Sequence, residues 1–138
     1  MIHFLTIDIE LPINLDEKVI DWLEVVLKQY RMKTGEVFFL FCSDEYLYKM
    51  NLQYLGHDTY TDIITFDLSE SSEYISGEIY ISLDRVNENA TRHDVSLVDE
   101  LHRVMVHGIL HLLGFKDKTE IDEMQMRHQE EICLSLRT

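Results

Sequence analysis

Apolar and polar residues change their period along this chain, and each change marks an element. Residues 2–9, IHFLTIDI, are apolar on both alternating faces and predict a buried strand. Asn14, Leu15, Asp16 and Glu17 read as a helix start, because Asn14 can cap, Glu17 can reach back and the acids suit the positive helix end. Val19, Trp22, Leu23, Val26, Leu27 and Tyr30 follow at helical spacing, with Gly35 as the expected stop. Residues 36–42, EVFFLFC, predict a second strand whose Phe38, Phe39 and Phe41 belong to the core. Ser43 starts a short helix carrying Tyr46, Leu47 and Met50, and residues 55–61 are a polar loop.

Residues 62–68 and 77–82 read as strands joined by a hairpin-length polar connection, so this pair is expected to be antiparallel. A helix over about 83–93 follows. Ser96 to Asp99 form a capping signature for a helix running to about Leu113, where Gly114 ends it. Thr119 to Asp122 open a last helix with Ile121, Met124, His128 and Ile132 along it. The order β-α-β-α-β-β-α-α-α predicts an α+β fold: a mixed four-stranded sheet covered by helices, in a single domain over residues 1–138.

Composition narrows the class. Acidic residues outnumber basic ones 26 to 12, giving a formal charge of −14, which excludes a generally basic nucleic-acid coat. Any contact with RNA or DNA then needs a local basic patch or a metal. Cys42 and Cys133 form no CxxC pair, so two idle thiols in a reducing cytoplasm are expected. No apolar run is long enough to span a membrane, and the first residues lack the basic start and cleavage site of a signal peptide.

The chemistry concentrates in one segment, HGILHLLGFKD, residues 107–117. His107 and His111 stand four apart and project from one helix face, so both imidazoles can meet one cation. Gly114 can take positive φ and turn the chain back, letting Asp117 offer a carboxylate. Two imidazoles and one carboxylate leave a coordination position open, as in catalytic rather than closed structural sites. The spacing resembles that of zincin-type metal-binding helices, but Gly108 stands where an HExxH protease carries its general base.

The segment HGILHLLGF also resembles the signature of the YbeY family, bacterial rRNA maturation factors regarded as endoribonucleases. The family pattern is H-G-x-L-H-L-x-G-[YF]-D-H, with three metal-binding histidines. Asn51-Leu52-Gln53-Tyr54 followed by Thr61-Asp62-Ile63-Ile64-Thr65-Phe66 resembles the family's N-x-x-[YF] and T-D-V-L-S-F segment. Gly77-Glu78-Ile79-Tyr80-Ile81 resembles its G-D-[IV]-x-[IV] strand, and Glu100 stands seven residues before His107, as a family glutamate does. The chain departs in two places. Asp117 replaces the third histidine, and Leu55 replaces an arginine that would clamp a phosphate, a loss for which His57 or a nearby lysine is a candidate compensation.

The resemblance implies a metal-dependent, single-strand-specific endoribonuclease acting on the 3′ end of small-subunit rRNA and in ribosome quality control. It implies cytoplasmic localisation and, as partners, ribosomal RNA, the pre-ribosomal particle and a small-subunit ribosomal protein. Zinc is the expected metal, and the carboxylate ligand also suits iron(II) or another divalent ion. The nucleophile stays open between metal hydroxide and an RNA 2′-hydroxyl. A different class is a non-catalytic ribosome assembly factor with a structural metal, for which the acidic charge fits docking on a basic ribosomal protein.

Other candidates carry two readings each. Glu100 is expected to be a buried hydrogen-bond partner, to the loop holding Asp117. Thr61 and Asp62 can orient a ligand or cap a strand. Lys116 and Lys118 flank Asp117 and either meet phosphates or stay solvated, and Arg85 and Arg92 form either a basic strip or surface ion pairs. His3, His93, His102 and His128 lack convergent spacing and read as structural or exposed.

Overall fold

The structure, a computed structural model, describes residues 1–138. Its elements are β1 (Ile2–Thr6), α1 (Glu17–Gln29), β2 (Lys33–Cys42), α2 (Asp44–Leu55), β3 (Ile63–Asp67), β4 (Tyr74–Ser82), α3 (Leu83–Arg92), α4 (Leu97–Leu112) and α5 (Glu120–Ser135). The strands form one sheet in the order β1-β2-β4-β3. The β1–β2 and β2–β4 pairs are parallel, and β3 lies antiparallel to β4 at the far edge. The fold is therefore α+β with a mixed four-stranded sheet and five helices. None of the helices is long and apolar enough to cross a membrane.

Alternation along the strands divides the packing between two faces. Val37, Phe39 and Phe41 of β2 and Ile75, Ile79 and Ile81 of β4 point into the main core. There they meet Trp22, Leu23, Val26 and Leu27 of α1 and Leu101, Met105, Ile109 and Leu110 of α4. The opposite face carries a smaller cluster in which Cys42 and Ile64 pack against Leu47 and Met50 of α2. Phe38, expected in the core, follows the alternation to this second face, where it is half-buried and stacks on His3 with ring centroids 4.5 Å apart.

Four further local expectations change. The cap of α1 is Asp16, whose carboxylate accepts from the Lys18 N–H, and not Asn14. β1 stops at Thr6 and is an edge strand, with Leu5 46% exposed, so apolar residues on both faces do not make it fully buried. The turn after α1 is made by Arg31, at φ 59, and Gly35 lies inside β2. A Cβ at Gly35 would collide with the Ser76 side chain and the Ile75 carbonyl of β4, so the glycine serves close strand approach. On α5 the stripe through Ile121 and Met124 faces solvent, and the buried residues are Met126, Glu130 and Cys133.

The placement of α4 and α5 matters most for the site. Gly108 brings α4 down onto the sheet, because a Cβ there would lie 2.7 Å from Ile79 Cγ2 and 3.0 Å from Ile63 Cδ1. The indole N–H of Trp22 donates to the Cys133 carbonyl at 2.9 Å, and Arg137 pairs with Asp99 at 2.9 Å. These contacts fasten α5 to α1 and α4.

A candidate metal centre on the α4 turn

Ser96 caps α4 by accepting from the Asp99 N–H. At the other end Gly114 takes φ 101, the Phe115 N–H donates to the Leu110 carbonyl, and the Gly114 N–H donates to the His111 carbonyl. That bond pair is the Schellman closure, and it reverses the chain directly over the last helical turn. Two results follow. The Phe115 carbonyl comes within 3.1 Å of His111 Nδ1, and Asp117 is carried back to the two histidines.

Asp117 Oδ2 lies 3.4 Å from His107 Nε2 and 3.3 Å from His111 Nε2. The ligand atoms of all three residues fall within 4.8 Å of one another. Two donors bound tetrahedrally at 2.0–2.1 Å from one ion stand about 3.3–3.4 Å apart, so the spacing fits a cation. The far ring nitrogens support the same arrangement. His107 Nδ1 is 2.7 Å from Glu130 Oε2, and His111 Nδ1 faces the Phe115 carbonyl. An acceptor at each Nδ1 holds the proton there and leaves both Nε2 lone pairs free for a metal.

The electrostatics favour a positive guest. Burial works against a charged His107, but its hydrogen bond to Glu130 and the charges of Glu130, Asp62 and Asp117 outweigh it, so its pKa lies above the ordinary value. Burial raises the Asp62 carboxyl, partly offset by His107. Arg103, one turn before His107 on α4, bonds Glu130 at 3.2 Å and Glu131 at 2.9 Å. Glu130 is thereby held by two residues of α4, Arg103 and His107.

Glu130 is absent from the sequence expectations. Its signal was available: Met126, Glu130 and Cys133 share the i, i+4, i+7 stripe of α5, and an acid inside an apolar stripe needs a partner. The remaining candidates are spread out. Thr61 bonds the Ile63 carbonyl locally at 3.2 Å. His57 is exposed after α2, its N–H bonding the Asn51 carbonyl. Lys116 is exposed beside the turn. Glu100 is buried but faces His93, 3.8 Å away, rather than the Asp117 loop. Arg85 and Arg92 are both in ion pairs, with Asp44 and Glu88.

Comparisons with known proteins match nearly the whole chain. The family model described as endoribonuclease YbeY matches residues 2–137. A protein named endoribonuclease YbeY from Cytophaga hutchinsonii is 46% identical over 136 residues, covering 99% of this chain and 95% of its own. One of the same name from Amoebophilus asiaticus is 43% identical over 133 residues, covering 96% and 90%. One from Porphyromonas gingivalis is 47% identical, covering 96% and 87%. The solution structure of TM1509 from Thermotoga maritima superposes with a TM-score of 0.71 at 28% identity, covering 99% of this chain and 88% of that one.

Proposed function

The chain belongs to the endoribonuclease YbeY family, and from that premise we propose that it is a metal-dependent endoribonuclease cutting single-stranded RNA during ribosomal RNA maturation. Its target in this reading is the 3′ end of small-subunit rRNA in cytoplasmic pre-ribosomal particles, with a further role in ribosome quality control. The observation that carries the reading is the convergence of His107, His111 and Asp117, with both Nε2 atoms free and both Nδ1 atoms occupied.

These three residues would hold one divalent cation, with zinc the first candidate. When bound, the cation supplies Lewis acidity to a phosphodiester and to the group attacking it. The protein's part is orientation and proton control. Glu130 and the Phe115 carbonyl fix the two imidazole tautomers, and Asp117 brings the negative charge that keeps the site selective for cations. Asp62 adds a nearby carboxyl whose pKa burial raises, partly offset by His107. Gly108 is packed against Ile79 and Ile63, which leaves no room for a glutamate base and weighs against protease chemistry.

The formal charge of −14 supports a second reading, a non-catalytic assembly factor docked on a basic ribosomal protein. His111→Ala separates the two. The nuclease reading expects single-stranded RNA cleavage to fall to background while particle binding persists. Cleavage that survives both this change and a chelator ends the metal-dependent reading, and particle binding without cleavage by the metal-loaded wild type favours the assembly factor.

A further inference from the structure

The hollow at the metal centre measures about 180 Å³ and is walled by His107, Asp117, Glu123, Met126, Arg127 and Glu130. Arg127 is the only arginine or lysine among these walls. Its place follows from α5. Arg127 and Glu130 stand three residues apart and so share a helix face. Glu130 reaches into the site, with Oε2 2.7 Å from His107 Nδ1. Arg127 is exposed and also walls an adjoining hollow of about 220 Å³, so it stands on the ridge between the two.

The other charges of the site already have partners. Asp117 faces both Nε2 atoms, where the cation would sit. Glu130 is held by Arg103 at 3.2 Å and by His107. Arg103 is engaged a second time by Glu131 at 2.9 Å. Arg127 takes part in no ion pair, although Glu123, one helical turn before it, is within the same wall. Its guanidinium therefore offers an uncommitted set of N–H donors beside the cation position.

The guest that suits such a group is narrowed by the rest of the molecule. With a formal charge of −14, the chain repels a polyanion except where positive charge is local. A planar guanidinium matches the oxygens of a phosphodiester in geometry as well as in charge. His57 and Lys116, the other candidates for this contact, do not line the hollow.

Resting on the endoribonuclease reading above, we propose that Arg127 is the phosphate clamp of this site. It donates to a non-bridging oxygen of the phosphodiester that the cation engages. Attack on phosphorus adds negative charge to those oxygens, so the contact strengthens toward the transition state.

Binding is read by fluorescence anisotropy across a range of salt, using the zinc-loaded full chain. The probe is a labelled 2′-O-methyl hexauridine, which carries the phosphates of RNA without a free 2′-hydroxyl. Arg127→Gln is expected to bind about tenfold more weakly at low salt. Its slope of log affinity against log salt is expected to be shallower by about 0.7, the share of one phosphate on a single strand. Arg127→Lys, which keeps the charge, is expected to keep the slope. Poor folding lowers the binding-competent fraction and does not alter the slope, so it cannot imitate this result. An unchanged slope in Arg127→Gln overturns the clamp, as does a wild type that binds no oligomer. Cleavage of unmodified hexauridine is followed in parallel. A wild type that binds it uncut, with the slope difference present, ends the nuclease reading and leaves the phosphate contact standing.

Discussion

His107 Nδ1 on α4 and Glu130 Oε2 on α5 lie 2.7 Å apart, joining residues 23 positions distant in the chain. The contact turns a two-histidine helix into an oriented pair of ligands, because the ring can then rotate only at the expense of a charge-assisted hydrogen bond. The same carboxylate receives Arg103, so the orientation of a metal ligand depends on how α5 sits against α4.

Glu130→Gln should therefore weaken metal binding without abolishing it. The amide oxygen can still accept from Nδ1, but the charge that raises imidazole basicity is gone. The expected loss is roughly 10–100-fold in affinity, measured by competition with a chromogenic chelator. An affinity within twofold of the wild type would show that His107 does not depend on this acid.

Asp117 gives a sharper contrast. It is the one ligand outside α4, held by the reversed chain rather than by helical spacing. Asp117→Asn removes the charge and is expected to lose the metal at micromolar concentrations. Asp117→His, which restores the third histidine of the YbeY pattern, is expected to keep it. Metal content after dialysis, by elemental analysis, reads both. Equal metal content in the wild type and Asp117→Asn would remove Asp117 from the ligand set.

Some of this was legible from local chemistry and some was not. The α4 motif was readable because every part of it is local: two histidines one turn apart, a glycine able to take positive φ, and an acid three residues on. The caps at Ser43, Ser96 and Thr119 were readable for the same reason. The partners of Glu130 and Glu100 were not, since those contacts join elements that no spacing rule links; only the burial of each was open to reading. Gly35 was misassigned because a glycine that permits close strand approach looks, in sequence, like one that ends a helix. β1 was misjudged because apolar pattern reports what a strand can bury and not its position at the sheet edge.

Gly108→Ala tests how closely α4 must approach the sheet. In an exposed helix this change stabilises by about 1 kcal/mol. Here the added carbon would lie 2.7 Å from Ile79 Cγ2, so overpacking should win, with a net loss of about 1–2 kcal/mol. The check is the midpoint of urea unfolding at constant slope. A stabilised variant would mean that α4 can lift from Ile79 and Ile63 at little expense.

Glu100→Gln should make the protein more stable at neutral pH, and the gain should vanish in acid. Burial is the largest influence on this carboxyl and holds its pKa above the ordinary value, with His93 and Arg103 only partly opposing it. A carboxyl that grips its proton more tightly in the fold supports the fold fully below the unfolded-chain pKa. That support is lost as pH rises through the higher folded value. Wild-type protein thus carries a penalty at pH 7 that glutamine, neutral throughout, does not. The variant should melt roughly 4 °C higher than wild type at pH 7, equivalent to about 1 kcal/mol. Near pH 4 the two should melt together, with both proteins held metal-free by chelator so that ligand protonation does not intervene. A variant that is less stable at pH 7 would mean that Glu100 is satisfied in solution.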